Sequence, residues 1–263
     1  MNTSKLVKKL RYLKSLGVVG VKQSLEDEGA SFEEIIIMRK ITRKAGLNLN
    51  VKIGGCEAKN DIYFCKGIKT NSIVAPMVES IYALKKFLQI SKVGTNIPLL
   101  VNIETISAIR NLDIMIKNKE FGSLSGIVLG RSDLAGSLGL EKKDVNKKKI
   151  FNIVFHAFKK IKKRKKKFTI KMGGSITNSS LDFIKALYHK KLLDRVETRN
   201  IEIKLNNKIF KNFSNIINKA FDFEVSWLKE KINHTKLNTL NKIKLSQDKL
   251  RIIEIGNRGK INQ

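Results

Sequence analysis

The sequence has few of the residues that cross-link a chain or anchor it in a membrane. It contains two cysteines, two prolines and one tryptophan in 263 residues. No apolar run reaches the roughly 18 residues of a transmembrane helix, and Met1–Leu16 lacks the apolar core of a signal peptide. Cys56 and Cys65 stand apart from any second cysteine pair or nearby histidine, which argues against a zinc site or a disulfide framework. We therefore expect a cytoplasmic protein that does not cross a membrane.

Acidic residues and arginine are both scarce beside lysine. The chain has 53 Lys and Arg against 23 Asp and Glu, a formal net charge of +30, but only ten of the basic residues are arginine. Such a charge can indicate a polyanionic partner. Arginine, however, supplies the planar contacts to phosphates and bases. We interpret the excess as solvated lysine surface and predict no specific nucleic-acid partner, with a polyanion-binding protein as an alternative.

The densest basic segment is 159–167, in which eight of nine residues are Lys or Arg. It follows a predicted helix and precedes a predicted strand, which places it at the end of the sheet opposite the strand ends that carry chemistry. No aromatic residues alternate with its lysines, so stacking on bases is not supported.

Short apolar runs alternate with amphipathic helical segments along the chain. This pattern indicates β-α units and a parallel sheet. The predicted strands are Gly17–Val21, Leu47–Ile53, Ser72–Met77, Pro98–Ile103, Gly126–Leu129, Phe168–Met172 and Arg195–Glu197. Phe32–Ala45 is the clearest of the intervening helices.

The turn after the first predicted strand decides between two parallel-sheet architectures. An open sheet usually has a glycine-rich phosphate turn there, whereas residues 25–29 read Leu-Glu-Asp-Glu-Gly. Polar residues follow nearly every strand, which favours a TIM-type (β/α)8 barrel. Seven runs leave one strand unaccounted for, so either the segment before Gly17 supplies an irregular strand or the barrel is incomplete.

The pattern changes after Asn200. We expect a barrel domain over residues 1–205, ending in the alternating run Ile201–Leu205. Residues 206–263 should form a C-terminal helical extension that packs on the barrel or on a neighbouring subunit, because no Pro or Gly linker separates it. One or two helices are predicted over 210–250, and residues 256–263 are expected to fray.

Two carboxylates occupy equivalent places after neighbouring strands. Glu104 follows Pro98–Ile103, and Asp133 follows Gly126–Leu129. Carboxylates with open positions for water and substrate suit Mg²⁺ or Mn²⁺. Taken alone, such acids more often cap a helix or form ion pairs.

Three segments near these acids resemble motifs of a known family. They read VNIET at 101–105 with NLD at 111–113, GIVLGRSDLAGSLG at 126–139, and IVAPMVES at 73–80. In order and spacing they resemble the signatures of the HpcH/HpaI aldolase and citrate lyase β-subunit family, over about residues 17–200.

The resemblance implies a pyruvate-type TIM barrel in which Glu104 and Asp133 bind Mg²⁺ or Mn²⁺. It also implies a carbon–carbon lyase or aldolase that acts on a 2-oxo acid or acyl ester through a metal-stabilised enolate. A symmetric homo-oligomer is the implied assembly. A barrel without lyase activity, acting as a binding or regulatory protein, is the alternative.

Two residues are candidates for the cation beside the enolate oxygen. The family commonly places an arginine where this chain has Lys52, and lysine supplies a point charge without the bidentate fork. Arg131 is the other candidate, and it could instead pair with Glu104 or Glu79.

The family's aldolases often carry a histidine beside an acid at the first acidic turn, whereas this chain has Glu26 and Glu28 there. His156, His189 and His234 fall in predicted helices. Proton transfer would then fall to Glu26, Glu28, Lys22 or a bound water. Both acids could instead favour the start of the helix near Ser31.

Further polar or flexible positions at the strand ends are candidates for substrate binding. The glycine pairs could cradle a carboxylate with backbone N–H groups, or could simply form tight turns. These candidates are Lys22, Gly54, Gly55, Glu79, Gly173 and Gly174. Glu197 and Arg199 could line the mouth or pair with each other.

Overall fold

The computed structural model describes residues 3–94, 96–164 and 167–234. At its centre eight strands form a closed barrel in sequential order. The predicted (β/α)8 architecture is confirmed, and each of the seven predicted strands is present. The strands are β1 (Val18–Ser24), β2 (Asn48–Lys52), β3 (Ser72–Ala75), β4 (Leu99–Ile103), β5 (Gly126–Gly130), β6 (Thr169–Gly173), β7 (Arg195–Glu197) and β8 (Ile201–Lys204).

Helices cover the outside of the barrel. No helix in the described ranges is long and apolar enough to cross a membrane. Short 3₁₀ turns follow α5, α6 and β6. The α-helices are α1 (Thr3–Ser15), α2 (Phe32–Ala45), α3 (Lys59–Gly67), α4 (Ile81–Ser91), α5 (Ile106–Lys117), α6 (Arg131–Ser137), α7 (Lys148–Arg164), α8 (Leu181–His189), α9 (Asn207–Lys211) and α10 (Phe213–His234).

Helix α2 shows how local sequence fixes an element. The Ser31 hydroxyl accepts a hydrogen bond from the backbone N–H of Glu34, whose side chain accepts from the Ser31 N–H, so the first turn is capped reciprocally. Gly46 ends the helix in the left-handed conformation, with φ of 69°. The helix therefore has the predicted boundaries.

Strand β8 is the eighth barrel strand, which the sequence pattern left unassigned. The segment before Gly17 is helix α1, so the expectation of a strand there is wrong. The barrel is instead completed by β8, which pairs antiparallel with both β7 and β1. Only Thr198, Arg199 and Asn200 separate β7 from β8. A parallel partner would need a crossover of a dozen or more residues, so this short turn forces the strand to reverse.

The C-terminal extension packs against its own barrel. Helix α10 contributes Ile216, Ala220, Phe223 and Trp227 to the same apolar core that contains the strands. The division at residue 205 stays a prediction, because the core is continuous across it. The expectations for residues 235–263, including helix to residue 250 and fraying after 256, lie outside the described residues.

Charged groups occupy the interior of the barrel around Glu202. Its Oε2 lies 2.8 Å from Lys171 Nζ and accepts a hydrogen bond from Asn50, and its Oε1 accepts from Arg195. Burial acts to raise the pKa of Glu202, but Lys171 and Arg195 outweigh it and lower the pKa. Glu202 is fully buried, so these partners are required to hold its charge.

Replacement of Glu202 should destabilise the barrel strongly. Glu202→Ala leaves Lys171 buried without its closest counter-ion, and we expect a loss of about 3–5 kcal/mol in the free energy of unfolding. Asp113→Asn is the matched control because it breaks the exposed pair with Lys160, which should cost less than about 1 kcal/mol. Urea denaturation measures both; equal losses would contradict the assigned role.

Candidate active site

A pocket opens at the carboxyl ends of the parallel strands, where TIM-barrel enzymes carry out their chemistry. Acidic and basic side chains share its wall, so a bound molecule would meet both charges. The charged residues that line it are Lys22, Asp27, Glu28, Lys52, Glu104, Asp133, Lys142, Glu197, Arg199 and Glu224.

Glu104 and Asp133 converge at Gly130. Glu104 follows β4, and Asp133 lies in the first turn of α6, directly after β5. A Cβ on Gly130 would lie 2.7 Å from Glu104 Oε2 and 3.3 Å from Asp133 Oδ2. Only glycine leaves this space free, so the backbone itself allows the two carboxylates to approach.

Glu104 is held in one orientation. It is 1% exposed; its Oε1 accepts a hydrogen bond from the Met77 N–H (3.1 Å) and its Oε2 from Asn102 Nδ2 (2.7 Å). Burial raises the pKa of Glu104; Lys52 opposes this shift and the Asp133 charge adds to it. A cation beside both carboxylates would relieve that repulsion.

Lys52, at the end of β2, joins this group. Its Nζ lies 2.7 Å from Glu26 Oε2 and 3.7 Å from Glu104 Oε1. Burial acts to lower the pKa of Lys52, but Glu104, Glu26 and Asp133 together raise it. The lysine therefore carries its positive charge at neutral pH.

Arg131, the second predicted cation, points elsewhere. Its guanidinium donates to the carbonyls of Gly173, Gly174 and Ser175 and to Ser180, and stands over the Phe183 ring. It does not line the pocket and pairs with neither Glu104 nor Glu79 in the described structure. Arg131 instead fixes the loop after β6, which borders the site.

The two glutamates of the first acidic turn, Glu26 and Glu28, have different surroundings. Glu26 pairs with Lys52, whereas Glu28 is buried in the pocket wall, where Asn200 Nδ2 donates to both its oxygens and Arg199 lies 3.5 Å away. Burial raises the pKa of Glu28, although Arg199 and Lys22 act in the opposite direction. Lys22 Nζ lies 3.7 Å from Glu197.

Only one of the two predicted glycine pairs lines the pocket. Gly173 and Gly174 line the pocket, whereas Gly54 and Gly55 do not, and the Gly54 N–H donates to Asp61. Glu79 also lies outside the pocket wall, where its carboxylate accepts from Thr105. A carboxylate cradle at Gly54 would have to displace Asp61.

Two histidines and the basic segment lie away from this pocket, as the sequence predicted. His156 is on α7 and His189 ends α8, and neither lines it. The basic segment 159–167 spans the end of α7 and the approach to β6, at the opposite end of the strands; residues 165 and 166 lie outside the description.

Sequence reasoning missed the contribution of α10. Glu224 and Phe221 line the pocket from this helix, and Thr198 and Asn200 of the β7–β8 turn hold Glu224. The available signal was spacing, because Glu224 stands four residues after Ala220 and three before Trp227 on a buried helical face. A lone acid on a buried face needs a partner or a function, so the spacing marks Glu224 but does not show which site it enters.

The fold is a closed barrel with charged side chains of both signs at one end of its strands. The HpcH/HpaI aldolase/citrate lyase family profile matches residues 37–181, more than half of the chain. The chain therefore belongs to this family, which places it among carbon–carbon lyases of the aldolase and citrate lyase type. No curated protein matches it by sequence.

Solved structures share the fold at low sequence identity. The HpcH/HpaI aldolase from Desulfitobacterium hafniense has a TM-score of 0.61 at 12% identity, covering 84% of this chain and 88% of that one. Citrate synthase SbnG has a TM-score of 0.59 at 13% identity, covering 82% and 89%. A family protein from Burkholderia cenocepacia has a TM-score of 0.58 at 11% identity, covering 73% and 82%. These similarities show the fold alone.

Gly174 should be required for the shape of the pocket. Its φ is 81°, and a Cβ would lie 2.4 Å from the Ser132 nitrogen and 2.6 Å from the Arg131 nitrogen. Gly139 has a φ of 69° but no atom within 4 Å of its Cβ position. Gly139→Ala should therefore cost about 1 kcal/mol through backbone strain, and Gly174→Ala clearly more. Thermal unfolding of both variants tests this; a Gly174 variant as stable as the Gly139 variant would contradict the packing.

Proposed function

We propose that this protein is a divalent-metal-dependent carbon–carbon lyase or aldolase that acts on a 2-oxo acid or an acyl ester. The observation that carries the proposal is the convergence of Glu104 and Asp133 at Gly130, with the Lys52 ammonium beside them. Family membership supports the reaction class, and members of the family generally depend on a divalent cation.

The donor set fits Mg²⁺ or Mn²⁺. Two carboxylates offer hard oxygen ligands and leave the remaining coordination positions for water and substrate. Within residues 3–94, 96–164 and 167–234, no three His, Cys, Asp or Glu side chains cluster as a metal site. A cation that retains waters suits this site better than one that needs nitrogen or sulfur ligands.

When bound, the cation supplies Lewis-acid polarisation of a substrate oxygen. Lys52 adds a fixed positive charge near the same place, which stabilises negative charge developing on that oxygen. Asn102 and the Met77 N–H keep Glu104 oriented. We assign to Lys52 the role of the cation that the family resemblance implies, and to Arg131 the positioning of the neighbouring loop.

Two further cations of the pocket wall can bind the carboxylate of the substrate. Lys22 and Arg199 line the pocket on the side where Glu28 and Glu197 stand. Glu28 holds Arg199 in place through their 3.5 Å contact. We assign both cations to substrate binding; Gly173 and Gly174 form the adjoining wall.

Cation binding should depend on the space at Gly130. Isothermal titration with Mn²⁺ should show binding to the wild type, no binding to the Glu104→Gln, Asp133→Asn double variant, and at least about tenfold weaker binding to Gly130→Ala. Gly136→Ala is the control, because no atom lies within 4 Å of its Cβ position. A proton competes with the cation at Glu104, so affinity should fall as pH is lowered.

Absence of Mn²⁺ binding to the wild type, with or without pyruvate, would refute the metal-dependent mechanism and favour the non-catalytic barrel. Binding that persists in a folded double variant would instead place the cation elsewhere.

Lys52 should contribute to oxo acid binding by its charge. Removing a charged hydrogen-bonding group typically costs about 1.5–3 kcal/mol, so Lys52→Gln should weaken pyruvate binding about 10- to 100-fold in the presence of Mg²⁺. Lys52→Arg keeps the charge and should retain most of the affinity. Lys86→Gln removes a half-buried lysine that pairs with Glu57 outside the pocket and should have no effect. Unchanged affinity in Lys52→Gln would exclude this role.

A further inference from the structure

Helix α10 carries a carboxyl group into the pocket wall that the proposed function has not used. Glu224 is fully buried and lines the pocket, one helical turn after Phe221. The apolar spacing of this helix predicted only a packing role.

The two oxygens of Glu224 have different surroundings. Oε1 accepts hydrogen bonds from Thr198 Oγ1 (2.6 Å) and from the Asn200 N–H (2.8 Å). Oε2 is buried and has no hydrogen-bond partner in the described part of the chain. A buried carboxyl oxygen without a partner is unusual, so Oε2 has capacity for a ligand in the pocket.

The surroundings of Glu224 also raise the pKa of its carboxyl group toward neutral pH. Burial raises its pKa to about 7; the bonds from Thr198 and Asn200 and the Arg199 charge oppose this shift, and the Glu28 charge adds to it. Glu28 in turn faces Lys22 and Lys231. A proton carrier is most effective when its pKa lies near the working pH.

Three other acids of the pocket wall already have partners. Both oxygens of Glu28 accept from Asn200, and both oxygens of Glu104 accept hydrogen bonds beside Asp133. Glu197 Oε1 also lacks a hydrogen bond, but Lys171 lies 3.5 Å from it and Lys22 lies 3.7 Å from the other oxygen, so two cations compensate this carboxylate. Glu224 therefore combines an unpartnered oxygen with a position in the pocket wall.

We propose that Glu224 is the catalytic residue that exchanges protons with the substrate, in place of a histidine at the first acidic turn. This proposal rests on the proposed lyase function. In the cleavage direction the Glu224 carboxylate accepts the proton of the substrate hydroxyl. The carbon–carbon bond then breaks, its electron pair forms the enolate, and the hydroxyl carbon leaves as a carbonyl. Glu224 returns the same proton to the enolate carbon, which completes the oxo acid.

The test is exchange of the methyl protons of pyruvate with D₂O, followed by proton NMR at saturating Mg²⁺. Glu224→Gln keeps an oxygen that can accept from Thr198 and Asn200 but cannot take up a proton. Exchange by this variant should be at least about 100-fold slower than by the wild type. The matched control is Asp222→Asn, an exposed carboxyl on the same helix.

The pH dependence gives a second readout. Because the ionised form accepts the proton, wild-type exchange should rise with pH through the pKa of about 7 and level off above it. Glu224→Gln should lose this step while retaining the wild-type melting temperature and Mg²⁺ affinity. A group that only tethered the β7–β8 turn would leave both the rate and the step unchanged in the Gln variant, and that result would overturn the proposal.

Failure of the proposed function can be distinguished from failure of this inference. A wild type that binds no Mg²⁺ and exchanges no pyruvate protons would overturn both. A wild type that exchanges, with a Glu224→Gln variant equally fast, would overturn only the role of Glu224. Infrared difference spectra between about pH 6 and pH 8 should show a carboxylic acid band that is weaker in Glu224→Gln than in the wild type; a band of unchanged intensity would also count against the proposal.

Discussion

Closure of the barrel depends on one short strand that runs against the other seven. Strand β8 pairs with β7 on one side and β1 on the other, so neither of those strands is left with an open edge. Glu202 on this strand then faces the interior, where Lys171 and Arg195 balance its charge. The rest of the molecule follows from this closure, because the strand ends converge on one pocket only when the sheet is complete.

Within the pocket, the positions of the charged side chains depend on their ion pairs and on two glycines that leave space for them. The lack of a Cβ at Gly130 lets Glu104 and Asp133 approach, and the lack of one at Gly174 lets the loop after β6 pack against the start of α6. Lys52 compensates the buried acids without removing their repulsion. The result is a group of fixed charges of both signs at the carboxyl ends of the parallel strands.

Much of this arrangement could be predicted from sequence, because it depends on local patterns. The apolar runs indicated the seven parallel strands, and the amphipathic spacing over residues 32–45 indicated α2. Glu104 and Asp133 were found because parallel strands bring their ends together. Three features depend on tertiary contacts and were not predictable in the same way. These are the reversal of β8, the burial of Arg131 against loop carbonyls, and the reach of Glu224 into the pocket.

The reversal of β8 changes how the pocket can evolve. The chain leaves β8 at the far end of the barrel, so the place usually given to the loop after the eighth strand is filled by the side of α10. A loop alters a pocket by changing its length and backbone path, whereas a helix alters it one side chain at a time on a fixed backbone. Residues such as Phe221 can therefore vary to accept new substrates while the opposite wall, with its paired carboxylates, keeps its geometry.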